Sequence, residues 1–212
     1  MKAVLFAAGR LKLSDWLLER CQRADLLVAV DAGLSHLLAA GLRPDLLVGD
    51  LDSASPADLS EVEGTPRLVY PADKSRTDLE LALDEVERRG AREVLVAAAL
   101  GKRQDHNLTN LLLAAAVQAR RRLQLCLAGD GTLVWPLAAG QQLELPLPAG
   151  TLFSVIATSR DVRLSLSGAR YALSDEELPL GTGLGVSNEV LERARIEVHS
   201  GTLLLMVPSD DV

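Results

Sequence analysis

The chain has 212 residues, 48% of them hydrophobic, with a formal net charge of −7 and a pI near 5.0. That supply of apolar side chains excludes a disordered chain, and the acidic balance excludes a general nucleic-acid surface. Cys21 and Cys126 are too few and too far apart for a disulfide framework or a zinc site. No stretch reaches the ~20 apolar residues that span a bilayer, and the first residues carry no apolar signal region with a cleavage site. The expectation is a cytoplasmic protein with neither membrane nor nucleic acid among its partners.

Residues 2–8 read as a first strand, closed by Gly9. Ser14 stands where it would cap a helix running to about residue 23, with Trp16, Leu17 and Cys21 as its stripe. A second strand over 26–30 ends at Asp31-Ala32-Gly33. A short helix over 35–40 stops at Gly41, and Pro44 precedes a third strand, Leu46-Leu47-Val48. That strand runs into Gly49-Asp50-Leu51-Asp52-Ser53 and then a polar connection with Pro56 and Gly64. Residues 67–70 make the fourth strand.

Thr77-Asp78-Leu79-Glu80 has the form of a capping box, with Thr at the cap and Glu three residues on. Leu79, Ala82, Leu83 and Val86 follow at the spacing of one buried helix face, and Gly90 stops the helix. A fifth strand over 93–99 leads through Gly101-Lys102-Arg103-Gln104-Asp105-His106 into a helix whose apolar face is Leu108, Leu111, Leu112 and Ala115. Residues 124–128 form the sixth strand.

Strands that are apolar throughout and alternate with helices mean a parallel sheet with helices on both faces. This regime stops near Gly129-Asp130-Gly131. Beyond it lie short runs over 133–135, 142–145, 152–157, 162–166, 195–199 and 203–207, several of them alternating, as in Val162, Leu164 and Leu166. They predict an antiparallel β-sandwich. The expected domains are 1–130 and 131–212.

In the first half, polar residues collect after strands: Asp31, then Asp50 and Asp52, then the segment from Asp73 through Lys74 to Asp78, then Arg103 to His106. In a parallel sheet all these ends lie along one edge, where open α/β sheets bind ligands. Asp50 and Asp52, one residue apart directly after a strand, are expected to point toward the same side of the sheet end, and two such carboxylates repel in a partly dry crevice. Mg²⁺ relieves that repulsion and prefers carboxylate oxygens together with phosphates.

Each piece also has a plainer role. Gly, Asp and Ser favour turns. Thr77 and Glu80 serve as a helix cap, and Asp78 suits the helix dipole. Lys74 and Arg76 read equally as solvated surface, Arg103 and Asp105 as an ion pair, and His106 as a local hydrogen-bonding residue. A purely structural protein has no need to concentrate this much charge at one sheet edge.

The ordered set Asp31-Ala32-Gly33, Pro44-Asp45, Gly49-Asp50-Leu51-Asp52-Ser53, Lys74 with Thr77-Asp78-Leu79-Glu80, and Gly101 to His106 with Asn110 resembles thiamine pyrophosphokinase. Gly168-Ala169-Arg170-Tyr171, Ser187-Asn188-Glu189 and Gly201-Thr202-Leu203 also look like segments of that family. The resemblance implies a Rossmann-like catalytic domain, a β-sandwich domain and a homodimer with the site at its interface. It implies ATP and thiamine as substrates, with diphosphate passed to the thiamine hydroxyl and AMP released.

It further implies Mg²⁺ at Asp50, Asp52 and Asp78, with Asp31 also in the acidic site. Thr77, Arg103, Asp105, His106 and Asn110 fall on the nucleotide side; Ser187 and Asn188 fall on the thiamine side. Attack at the β-phosphorus asks for charge neutralisation, a role for Lys74 or Arg103. Thiamine is a cation, which Tyr171 suits as an aromatic face. The sequence departs from the family pattern at Ala32, Ser35-His36, Ser75 and Lys102. Two other readings stand beside this one: a diphosphokinase for a pterin alcohol, and a non-catalytic nucleotide-binding module.

Overall fold

A computed structural model describes residues 1–71, 73, 75–120 and 123–212. Six strands, β1 (Lys2–Phe6), β2 (Leu26–Val30), β3 (Leu46–Gly49), β4 (Arg67–Val69), β5 (Glu93–Ala97) and β6 (Gln124–Gly129), pair only in parallel, in the order β4-β3-β2-β1-β5-β6. The chain steps outward from β1 to β4, then returns to β5 on the other side of β1. Strand order therefore reverses between β1 and β5, a topological switch point. Val4, Leu5 and Phe6, Val28 to Val30, Leu46 to Val48 and Val94 to Ala97 are buried almost without a break. Strands covered on both faces read as continuous apolar runs for this reason.

The helices are α1 (Asp15–Gln22), α2 (Gly33–Ala39), α3 (Pro56–Glu61), α4 (Asp78–Arg88) and α5 (Gln104–Arg120). Ser14 caps α1 through its hydroxyl, which accepts from Leu17 N. α2 begins two positions earlier than its sequence predicts, with no side-chain cap, directly after Asp31-Ala32. α3 replaces the expected polar connection. Its start carries ordinary signals, Ser55 as cap and Pro56 at the first helical position.

In α4 the Thr77 hydroxyl accepts from Glu80 N at 3.2 Å, and Leu79, Ala82, Leu83 and Val86 are buried as their spacing predicts. Only half of the capping box forms, because the Glu80 carboxylate pairs with Arg76 at 2.9 Å instead. α5 departs from its expected face: Leu108 and Leu112 are 59% and 50% exposed, while Ala114, Ala115, Val117 and Gln118 are the buried set. This helix is apolar nearly all round beyond residue 107, so periodicity cannot choose its inner side.

The chain divides into two compact units. The first holds Met1–Asn110, β6 and Asp210–Val212; the second holds the later part of α5 and Thr132–Ser209. In the second unit β7 (Thr132–Ala138), β13 (Thr202–Pro208) and β9 (Leu152–Ala157) form one antiparallel layer. β11 (Leu173–Glu177), β10 (Arg163–Ala169), β12 (Asn188–Ser200) and β8 (Gln142–Leu145) form the other. Phe153, Val155, Ala157, Leu164, Leu166, Ile196, Val198, Leu203 and Leu205 alternate inward to one core, which makes this the expected β-sandwich. β11 shows no apolar pattern in the sequence because it is an acidic, largely exposed edge strand.

On α4, the buried Glu85 takes charged hydrogen bonds from Arg88 Nε and Nη2 at 2.8 and 2.7 Å and from Arg89 Nε at 2.6 Å. The Arg88 bond, then that from Arg89, holds its carboxyl down at about 2 despite burial. The unfolded carboxyl titrates near 4.3, so this contribution is complete above that pH and is lost as pH falls towards 2. Glu85→Gln should cost about 1–2 kcal/mol at pH 7, and the gap to the parent should close between pH 4.5 and 2. Thermal unfolding of both proteins across that range measures it.

Candidate active site

The carboxyl edge of the parallel sheet is built from strained backbone. Among the described residues, Asp31, Leu51, Ala98 and Asp130 take left-handed conformations, with φ of 48°, 61°, 53° and 46°, just beyond β2, β3, β5 and β6. Non-glycine residues held this way cost roughly 1–2 kcal/mol each, and they cluster where function over-determines them. Asp31 N donates to Val48 O at 3.0 Å, which draws the end of β2 over β3. There the Asp31 carboxylate accepts from Leu51 N at 3.3 Å. A Cβ on Gly49 would stand 1.7 Å from Asp31 Oδ1, and Gly49 has φ 139°, so only glycine leaves room for this carboxylate.

Asp50 and Asp52 meet for a different reason from the one the sequence suggests. They do not share a side by strand alternation. The left-handed turn at Leu51 curls the chain, so that Asp52 N donates to Asp50 Oδ1 at 3.2 Å. The Asp52 carboxyl is raised by its hydrogen bond and repulsion with Asp50, and more weakly by Asp78. The Asp31 carboxyl is pushed up to about 7, first by burial, then by a hydrogen bond and repulsion with Asp78, with Asp50 adding to it. Asp78, in the first turn of α4, has its Oδ1 shut away from solvent. The four carboxyls thus form two touching pairs, Asp31 with Asp78 and Asp50 with Asp52, each within electrostatic reach of the other.

A hard, oxygen-only donor set fits a divalent cation of the Mg²⁺ kind. Among the described residues, no three acidic, His or Cys side chains alone converge tightly enough to enclose an ion. Lys74 lies outside the described residues.

The other expected residues divide by location. Thr77 serves as the α4 cap. Arg103 pairs with Asp105 through Nε at 3.2 Å and Nη2 at 2.5 Å, and that bond holds the Asp105 carboxyl down at about 2. Both are exposed, as is His106, at the start of α5. Asn110 Nδ2 donates to Ala99 O at 2.7 Å, tying the helix to the chain leaving β5. Asn107 is a residue the sequence reading missed: its amide takes Gly101 N and gives to Gly101 O, both at 2.8 Å. An asparagine three residues into a helix after a glycine turn was the available signal.

Within the second unit, the buried Asn188 accepts from Tyr171 N at 3.0 Å and from Glu189 N at 2.9 Å, and donates to Tyr171 O at 2.9 Å. Its amide thereby holds Tyr171, whose side chain is left 58% exposed. Ser187, exposed with φ 57°, donates its N–H to Ser154 Oγ at 3.1 Å.

Carboxylates gathered beyond the strand ends of a doubly wound sheet suit an enzyme that handles phosphate groups through a divalent ion. Residues 17–127 match the family described as thiamin pyrophosphokinase, catalytic domain, and residues 141–203 match its vitamin B1 binding domain. The thiamine pyrophosphokinase of Bacillus subtilis (strain 168) is 30% identical over 191 residues, covering 88% of each chain. The crystal structure of a thiamine pyrophosphokinase from Bacillus subtilis superposes with a TM-score of 0.86 at 25% identity, covering 99% of this chain and 100% of that one. That of Geobacillus thermodenitrificans gives 0.82 at 28% identity, covering 99% and 98%. The Candida albicans enzyme shares the fold, with a TM-score of 0.81 at 14% identity over 99% and 90%.

The chain belongs to the thiamine pyrophosphokinase family and is an ATP-dependent diphosphotransferase that forms thiamine diphosphate and AMP. Neither a pterin-alcohol kinase nor a non-catalytic nucleotide module finds support in these comparisons.

The Asp31 carboxyl makes a stability prediction with the sign opposite to that of Glu85. In the unfolded chain it ionises near 3.9, but in the fold it keeps its proton up to about pH 7. Between those values the folded state binds more protons, so stability falls as pH rises. Asp31→Asn removes this loss. In EDTA, the variant should gain unfolding temperature relative to the parent as pH is raised from 4 to 8, and show no such gain below pH 4.

Proposed function

We propose that the transfer takes place at the four-aspartate edge of the first unit. The observation that carries this is the meeting of Asp78 with Asp31 beside Asp50 and Asp52, from three separate stretches of chain. Asp50, Asp52 and Asp78 would hold Mg²⁺, with Asp31 completing the acidic set. When bound, the ion would neutralise the β- and γ-phosphates of ATP and favour attack at the β-phosphorus. The chemistry asks little covalent work of the protein, so these side chains act by fixing position and charge.

On the nucleotide side we place Lys74, Thr77, Arg103, Asp105, His106 and Asn110. Asp105 presents the Arg103 guanidinium at the start of α5, and a phosphate would compete for that guanidinium. Ser187, Asn188 and Tyr171 supply the thiamine side, where Asn188 holds Tyr171 and the exposed phenol ring offers its face to a cationic heterocycle. The enzyme works as a cytoplasmic homodimer with the site at its interface. Exposed leucines at 108 and 112, and an exposed apolar row of Leu152 and Ile156, support a second copy. Among the described residues, no helix is long and apolar enough to cross a membrane.

Asp52 is exposed and bears no packing duty, so Asp52→Asn tests the site without risk to the fold. It should lower Mg²⁺-dependent AMP release from ATP and thiamine by at least about a hundredfold, with an unchanged unfolding temperature. Chelation of the metal should do the same to the parent. Full activity in Asp52→Asn would remove this residue from the metal site.

A further inference from the structure

Between the end of β5 and the start of α5 the chain runs through residues 98–103, and the fold pins this exit closely. Ala98 O accepts from Gly9 N at 2.8 Å, Ala99 N donates to Ala128 O at 3.0 Å, and Leu100 O accepts from Arg10 N at 2.7 Å. A Cβ on Gly9 would stand 2.2 Å from Leu100 O, and one on Gly101 would stand 3.0 Å from Arg10 N. Glycine at both places lets the two loops lie against each other. Ala98, Ala99, Leu100 and Gly101 are buried in consequence, and buried main-chain groups need partners.

The first turns of α5 supply the remaining ones. Asn110 Nδ2 donates to Ala99 O at 2.7 Å. One turn earlier, Asn107 Oδ1 accepts from Gly101 N and Asn107 Nδ2 donates to Gly101 O, both at 2.8 Å. Only Asn and Gln carry an acceptor and a donor side by side on one planar amide. The Asn107 amide therefore meets both main-chain groups of Gly101, as a facing residue does in an antiparallel pair.

The main chain of Asn107 adds a third bond, from its N–H to Arg103 O at 3.0 Å. One residue thus holds both ends of the span from Gly101 to Arg103, by its side chain at the first and its main chain at the last. Just Lys102 lies between. The residue before α5 is Arg103, which is not a capping type. Asn107 closes the turn from inside the helix instead.

What the turn carries is charge. The Arg103 and Asp105 side chains are 68% and 63% exposed. Packing does not fix them, and an exposed ion pair is weak. Their place is set by the main chain beneath. We infer that Asn107 is a positioning residue for the transfer: by closing the Gly101–Arg103 turn, it sets where the Arg103 guanidinium stands. The inference rests on Arg103 meeting the phosphates of ATP, as proposed above. Without the Asn107 amide, two buried main-chain groups lose their partners and the turn loosens. The guanidinium must then be ordered at the moment of binding, which costs affinity for the nucleotide.

Two substitutions and their combination test this. Arg103→Ala should raise the KM for ATP about tenfold, the loss of one charged hydrogen-bonded contact. Asn107→Ala should raise it about fivefold and lower the unfolding temperature, while the KM for thiamine stays within about twofold of the parent in both variants. In the double variant the KM for ATP should match that of Arg103→Ala alone, within about twofold, because an absent guanidinium cannot be misplaced. Independent roles would instead multiply the two rises, to about fiftyfold. A merely structural asparagine would lower the unfolding temperature and leave the KM for ATP where it was. Either result overturns the inference. Should Asn107→Ala fail to fold, Asn107→Ser decides, since its hydroxyl is too short to span both groups of Gly101. If Arg103→Ala leaves the KM for ATP unchanged, Arg103 is removed from the phosphates and the inference falls with it. The four-aspartate site would still stand or fall on Asp52→Asn.

Discussion

The contact between the Asp31 and Asp78 carboxyls is the constraint from which the acidic edge follows. Left alone, two such groups in a half-buried place repel, and one keeps its proton up to about pH 7. The fold nevertheless presses them together. The Asp31 N–H is fixed to Val48 O on the neighbouring strand, and Asp78 is fixed by the capped first turn of α4. Buried, uninterrupted β2 and β3 supply the rigidity, and the sequence-distant start of α4 supplies the second carboxyl. Such a site is unfavourable when empty, which is the usual relation between function and stability. A divalent cation among these carboxylates would reverse its sign.

Strain and glycine placement serve the same end. Left-handed backbone at Asp31, Leu51, Ala98 and Asp130 turns the chain sharply as it leaves four strands. Sharp exits keep polar groups close to the sheet edge rather than out in long loops. Gly49 gives Asp31 its space and Gly9 lets the first loop lie low over β5. Arg103, Asp105 and Asn107 then line the following exit with short local bonds.

Much of this was legible in the sequence, for physical reasons. Apolar runs with no alternation marked the parallel strands. Thr77 and the spacing of Leu79, Ala82, Leu83 and Val86 marked α4 and its inner face. Val162, Leu164 and Leu166 alternated as a sandwich strand must. What stayed hidden was conformation without a residue signature. Nothing in Asp31 or Leu51 announces a left-handed backbone, so the pairing of Asp50 with Asp52 was expected from strand alternation when a turn produces it. The face of α5 was hidden because leucine and alanine surround the helix. β11 was hidden because an exposed acidic edge strand has no hydrophobic pattern. The double amide bond of Asn107 to Gly101 depends on the shape of a turn that spacing does not specify.

β12 is the longest strand of the second unit and belongs to both its layers. Asn188 and Glu189 pair with β9, while the residues after them pair with β10 and β8. One continuous backbone therefore laces the two sheets together at the corner where Asn188 grips Tyr171. Neither sheet can peel away without unzipping the shared strand. Amide protons of β12, β9 and β10 would thus exchange with solvent as a single cooperative block rather than sheet by sheet. A protease nick within β12 would release both layers at once.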